Sequence, residues 1–211
     1  MADNRIPEIA VLYAHAGLMV TEKPSGLLCQ PGLGLELSDS LITRIRRRWP
    51  TARLVHRLDR DTSGLLVLAL DAELHRALSR LFAERRIRKS YIADVAGIPA
   101  EREGSIALPL AKRCHRPPLY GPDPDGKPSR TDWRLIESHD TWSRLELHPH
   151  TGRSHQLRVH LASIGHFILG DPLYGGSCGM AADRLRLHAS GIAFRHPFSG
   201  EMLSFHSDCP F

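Results

Sequence analysis

Lysine is scarce in this 211-residue chain, standing only at positions 23, 89, 112 and 127, so nearly all of the 28 basic side chains are arginine. Against 23 acidic residues they leave a net charge of +5, and arginine suits phosphate and base stacking better than lysine does. A genome biased towards arginine codons would give the same count, so composition alone names no partner. Cysteine is scarce too. Cys29, Cys114, Cys178 and Cys209 are scattered and form no Cys-x-x-Cys pair, which argues against a zinc ribbon and against a secreted disulfide framework. No apolar run approaches the roughly 18 residues of a membrane span, and the opening Met-Ala-Asp-Asn-Arg is not the start of a secretory leader. A soluble cytoplasmic protein is expected. Gly32 and Gly34 lack the third glycine and following helix of a dinucleotide fingerprint, and no Gly-Lys-Ser/Thr occurs, so no nucleotide cofactor is expected. Ser63 is not a nucleophile elbow, because Gly-x-Ser-x-Gly is absent.

What remains reads as one globular domain, with a length sufficient for a real hydrophobic core. Short strands and turns are predicted over Ile9 to Tyr13 and Leu18 to Val20. A helix follows from Asp39 to Trp49, with Leu41, Ile42 and Ile45 as its apolar stripe and Arg44, Arg46, Arg47 and Arg48 crowding its last turn. Those cations suit the helix dipole as well as they suit RNA. Asp71 is a fair N-cap for a second helix whose buried face is Leu74, Ala77, Leu78, Leu81 and Phe82. Lys89 to Val95 reads as a strand, Trp133–Ile136 with Trp142–Leu147 as a hairpin, and Gly191–Phe194 with Met202–Phe205 as a closing hairpin. Thr151-Gly152 opens a third helix, with the stripe Leu157, Leu161 and Ile164 and with Gly165 as its stop. Lys112 to Lys127, rich in Pro, Gly and basic residues (Lys112, Arg113, Arg116), is the expected loop or insertion. Strands outnumber helices without regular β-α-β alternation, so the class is α+β with a mixed, mainly antiparallel sheet.

Chemistry concentrates in two places. His56-Arg57-Leu58-Asp59-Arg60-Asp61-Thr62-Ser63-Gly64 sets two carboxylates among arginines between apolar strand ends. In extended backbone Arg57 and Asp59 share a face, and a neighbouring arginine keeps a carboxylate ionised, fit to act as nucleophile or base. The same residues would equally serve as a structural ion pair capping a turn, and Asp61 has the same parity as Asp59. The second constellation is Thr151 to His160. Arg158 borders the apolar stripe, where a half-buried guanidinium needs a carboxylate; Asp59 is the candidate. His155 and His160, five apart, do not share a helix face, and His148 and His150 have no ligand partner at metal spacing, so no metal is expected.

Residues 56 to 66 closely resemble the signature of the RluA family of pseudouridine synthases. Lys23-Pro24-Ser25-Gly26 with Pro31-Gly32, Lys89-Ser90-Tyr91-Ile92-Ala93, and Thr151 to His160 with Gly165-His166 and Gly170-Asp171-Pro172-Leu173-Tyr174-Gly175 resemble its other blocks, in family order over about residues 19 to 198. The resemblance implies the pseudouridine synthase catalytic fold with a cleft, and an isomerase that cuts the N1 glycosidic bond of an RNA uridine and rejoins C5 to the sugar without a cofactor. It implies Asp59 as catalytic aspartate, Tyr91 stacked on the uracil, Arg158 paired with Asp59, and Arg57 filling the space of the flipped base. His56, Leu157 and Leu169 are expected to border the substrate, although a strand tyrosine and two apolar residues are equally at home in a core. The chain begins almost at the first block, so no separate N-terminal RNA-binding domain is expected. That resembles the short dual-specificity member acting on a tRNA anticodon stem-loop and a 23S rRNA hairpin loop, and a monomer is expected. Two rivals stand beside this reading: a non-catalytic RNA-binding or ribosome-assembly module, and a metal-dependent nuclease using the histidines.

Overall fold

The computed structural model describes residues 8–115, 117–176 and 181–211. These fall into two compact units, one formed by the chain up to Ile87 together with Ala189–Asp208, the other by Arg88–His188 with Cys209–Phe211. The strand pairings are mostly antiparallel, and helices are few, as the α+β class requires.

In the first unit β1 (Ala10–His15) and β2 (Leu18–Lys23) form a hairpin whose turn residues Ala16 and Gly17 both take positive φ, 47° and 77°. That turn matches the twist of the flanking strands. β2 pairs with β4 (Ser63–Ala69), which also receives the two-residue strand β3 (Arg53–Leu54). β11 (Leu187–Arg195) runs back into β12 (Met202–His206), the closing hairpin that the sequence indicates. Every residue of β4 is buried, which explains its unbroken apolar run. At Gly64, φ is 110° and a Cβ would lie 2.3 Å from the carbonyl oxygen of Ala189, so only glycine permits this strand to approach so closely.

Helix α1 (Leu41–Arg46) is shorter than the span predicted from Asp39 to Trp49. It begins where Ser40 and Thr43 form a reciprocal capping box. Arg44 is committed to Asp39 rather than projecting freely, at 2.8 and 2.5 Å. Helix α2 (Ala72–Ala83) starts at Asp71, whose side chain accepts from the Leu74 N–H at 2.8 Å, and buries Leu74, Leu78 and Leu81 against Leu18, Val20, Leu65, Val67 and Phe194.

In the second unit β5 (Arg88–Ala96), β6 (Glu103–Ile106), β9 (Thr131–Ser138) and β10 (Trp142–Pro149) lie in the order β5-β10-β9-β6. Helix α3 (Gln156–Ser163) presents Leu157 and Leu161 to a core containing Ala93, Val95, Leu145 and Leu147. The helix begins at Gln156, not at Thr151. His155 has φ 55°, a left-handed conformation that cannot continue a helix, so His155 and His160 were never related by helical spacing. Ile164, assigned to the stripe, is exposed.

The stretch expected as a loop, Lys112 to Lys127, is instead mostly a second small sheet. β7 (Leu110–His115) pairs with β8 (Pro118–Pro122) across a bulge between Lys112 and Cys114. Leu110 also exchanges both backbone hydrogen bonds with Lys127, at 3.0 and 2.8 Å. Turn-forming residues hid the strands because the pairing, not side-chain alternation, defines them. Arg116 lies outside the described residues.

Candidate active site

The loop carrying His56, Arg57 and Asp59 leaves β3 and returns in β4, which are paired through Leu54 and Leu68. Along it Arg57 is exposed, Leu58 buried and Asp59 half-buried, the alternation expected of extended backbone. The segment after β2 fastens this loop at several points. The Lys23 side chain is fully buried, and its Nζ donates to the carbonyls of Pro24, Leu27 and Arg60 at 2.8, 2.8 and 2.7 Å. Ser25 Oγ donates to the Asp61 carbonyl at 2.7 Å, and Arg60 Nε donates to the Gly26 carbonyl at 3.0 Å. Cys29 closes the set, since its Sγ accepts from the Leu58 N–H and donates to the Leu58 carbonyl, both at 3.3 Å. Burial pushes that thiol pKa up, which suits a packing role. His56 is part of the scaffold: its Nε2 accepts from the Val67 N–H at 3.0 Å, and its ring stacks on Phe82 at 4.5 Å.

In the second unit Arg158 is buried to 2% exposure, deeper than its place beside the stripe indicates. Its Nε and NH2 donate to the two carboxylate oxygens of Asp171 at 2.8 and 2.7 Å. Asp171 is the residue that spacing overlooked; it entered the sequence reading only inside a resembling block. Burial pushes its carboxyl pKa up, but the Arg158 charge and hydrogen bond, with the N–H groups of Leu173 and Tyr174 at 2.9 and 3.1 Å, hold it below the usual range. The Arg158 guanidinium lies 5.1 Å from the Tyr174 ring centre, a cation–π contact. Tyr174 Oη in turn meets His155 Nδ1 at 2.7 Å and accepts from the Tyr120 N–H at 2.9 Å.

Tyr91 lies on β5 opposite Leu147, half-buried, against the core cluster that contains Leu157. Leu157 and Leu169 are themselves buried at 7% and 8% exposure. Lys89, two residues before Tyr91, has its ammonium pKa pushed down by burial, with Nζ 3.5 Å from the Thr151 carbonyl. The Thr151–His155 segment is tied down by Gln156, whose Oε1 accepts from Thr151 Oγ1 and the Arg153 N–H and whose Nε2 donates to the Arg130 carbonyl and Thr131 Oγ1.

The histidines have partners that sequence spacing does not show. His150 meets Asp132 across the β9–β10 pair at 2.5 Å, and His148 lies 3.5 Å from Glu146. Buried His160 is held by Thr131, Ser129 and the Leu108 carbonyl. Among the described residues no group of three His, Cys, Asp or Glu is arranged to hold a metal ion.

A model of the RNA pseudouridylate synthase family matches residues 17–163. The chain is 44% identical over 210 residues to the dual-specificity RNA pseudouridine synthase RluA of Escherichia coli O6:H1, covering 97% of this chain and 95% of that protein. It is 45% identical over 206 residues to the protein of the same name from Yersinia pestis, covering 95% and 99%. Human RNA pseudouridylate synthase domain containing 1 superposes with a TM-score of 0.83 at 29% identity, over all of this chain and 87% of the other. The fold and the loop it fastens are those of an RNA-modifying isomerase. The chain belongs to the RluA family of RNA pseudouridine synthases.

Proposed function

We propose that the protein isomerises uridines in stem-loops of tRNA, 23S rRNA or both, the targets that the sequence resemblance implies; the name of its relatives, dual-specificity RNA pseudouridine synthase, and their near-complete overlap with this chain support an RNA substrate. In this reading Asp59 is the catalytic carboxylate, Arg158 pairs with it, Tyr91 stacks on the uracil, and Arg57 occupies the space the base leaves. His56, Leu157 and Leu169 border the substrate. The observation that carries the reading is the way Lys23, Ser25 and Cys29 fasten the backbone on both sides of Asp59 while its side chain stays only half-buried. A group that must meet a flipped-out nucleotide needs that combination of fixed position and access.

The reaction breaks the N1–C1′ bond, forms the C5–C1′ bond, releases the C5 proton and returns one to N1. It needs neither oxidant nor phosphoryl donor. Unlike a glycosidase, which uses a second carboxylate to manage water, it gives the same base back to the same sugar. Asp59→Asn is expected to bind RNA as the wild type does and to release no tritium from C5-labelled RNA above background. Turnover by Asp59→Asn at the wild-type rate would remove the carboxylate from the mechanism. The protein is further proposed to act as a monomer in the cytoplasm, which sedimentation of the active species tests for the oligomeric state.

A further inference from the structure

The four lysines divide into two kinds. Lys23 and Lys89 turn their ammonium groups onto backbone carbonyls. Lys112 and Lys127, the two exposed ones, both belong to the β7–β8 hairpin and the turn that follows it. Lys127 is bridged to Leu110, and Lys112 lies two residues along the same strand as Leu110, so the two lysines share a face as diagonal neighbours, about 7–8 Å apart along the diagonal. Three surface arginines of this unit are matched to acids: Arg113 to Asp123, Arg130 to Asp132 and Arg134 to Glu146. Neither lysine has a carboxylate partner among the described residues. Like charges on one face repel, and the fold leaves these two together uncompensated.

The hairpin that carries them is firmly seated. The Tyr120 N–H donates to Tyr174 Oη at 2.9 Å, the Tyr120 ring meets His155 edge-on at 5.2 Å, and Ser129 Oγ donates to the Leu108 carbonyl at 2.6 Å. Two exposed cations on a fixed ribbon, each free to take a separate phosphate, are a site for a polyanion.

We propose that Lys112 and Lys127 form a phosphate-contacting arm for the substrate RNA. The proposal rests on the RNA-modifying reading of the chain and adds the surface that holds the polynucleotide. Each phosphate contact adds about 0.7–0.9 to the slope of log affinity against log salt. Affinity for end-labelled bulk tRNA is therefore measured by fluorescence anisotropy across a KCl series. Lys112→Ala/Lys127→Ala is expected to bind with a slope less steep by about 1.4–1.8, and to keep its turnover rate at saturating RNA. Lys112→Arg/Lys127→Arg should keep the wild-type slope. So should Arg53→Ala/Arg102→Ala, which removes two exposed charges elsewhere. An unchanged slope in the hairpin variant, or an equal loss in the Arg53/Arg102 variant, would overturn the arm. Failure of the catalytic reading shows separately, as tritium release by Asp59→Asn.

Discussion

A buried guanidinium facing a buried carboxylate is tolerable only as a pair, because either charge left alone in the interior keeps its desolvation cost without the compensating contact. Arg158 and Asp171 are such a pair at 2% and 1% exposure. Asp171→Ala is expected to cost about 3–5 kcal/mol, and to lower the melting temperature by roughly 10 °C in a chain of this size. A calorimetric loss below about 1 kcal/mol would show that the arginine finds water or another partner. Asp171 also accepts the N–H groups of Leu173 and Tyr174, so Asp171→Asn should be milder: it retains an acceptor for that turn. The need for a carboxylate beside Arg158 was legible in the sequence. The identity of Asp171 was not, because a contact across thirteen residues and a turn has no periodicity to betray it.

Among the elements, α3 shows how a histidine is spent on structure. The Leu108 carbonyl can only accept, so His160 Nε2 carries the ring proton, and Nδ1 accepts from Thr131 Oγ1, which itself accepts from Gln156 Nε2. This chain of bonds joins the start of β9 to the first turns of α3 and requires neutral imidazole. Burial lowers the His160 pKa from 6.5. Below pH 6.5 the unfolded chain therefore binds a proton that the folded one does not, and stability falls as pH drops through that value. Thermal melts at pH 7.5 and 5.5, taken with His160→Gln as control, check this. The wild type should lose more stability on acidification than the variant, and equal losses would rule out His160 as the source. Element existence was readable wherever periodicity was strong. α2 and the β9–β10 and β11–β12 hairpins follow the sequence, whereas β7–β8 emerged only through pairing.

At the scale of the whole molecule, an isomerisation that returns the base to its own sugar calls on no Lewis acid. Exhaustive dialysis against EDTA is expected to leave tritium release unchanged, with the RNA intact. Loss of activity restored by a divalent ion, or cleaved RNA, would favour the nuclease reading instead. The amino-acid sequence by itself determined the α+β class, the Asp71 cap of α2, the buried strand β4 and the loop bearing Asp59, because these depend on local propensity and on the alternation of apolar residues. Tertiary structure decided which charges neutralise one another, what Lys23 and Cys29 fasten, and where the exposed lysines lie. Those outcomes depend on distances between residues remote in the chain, and a linear pattern carries no record of such distances until the backbone has folded.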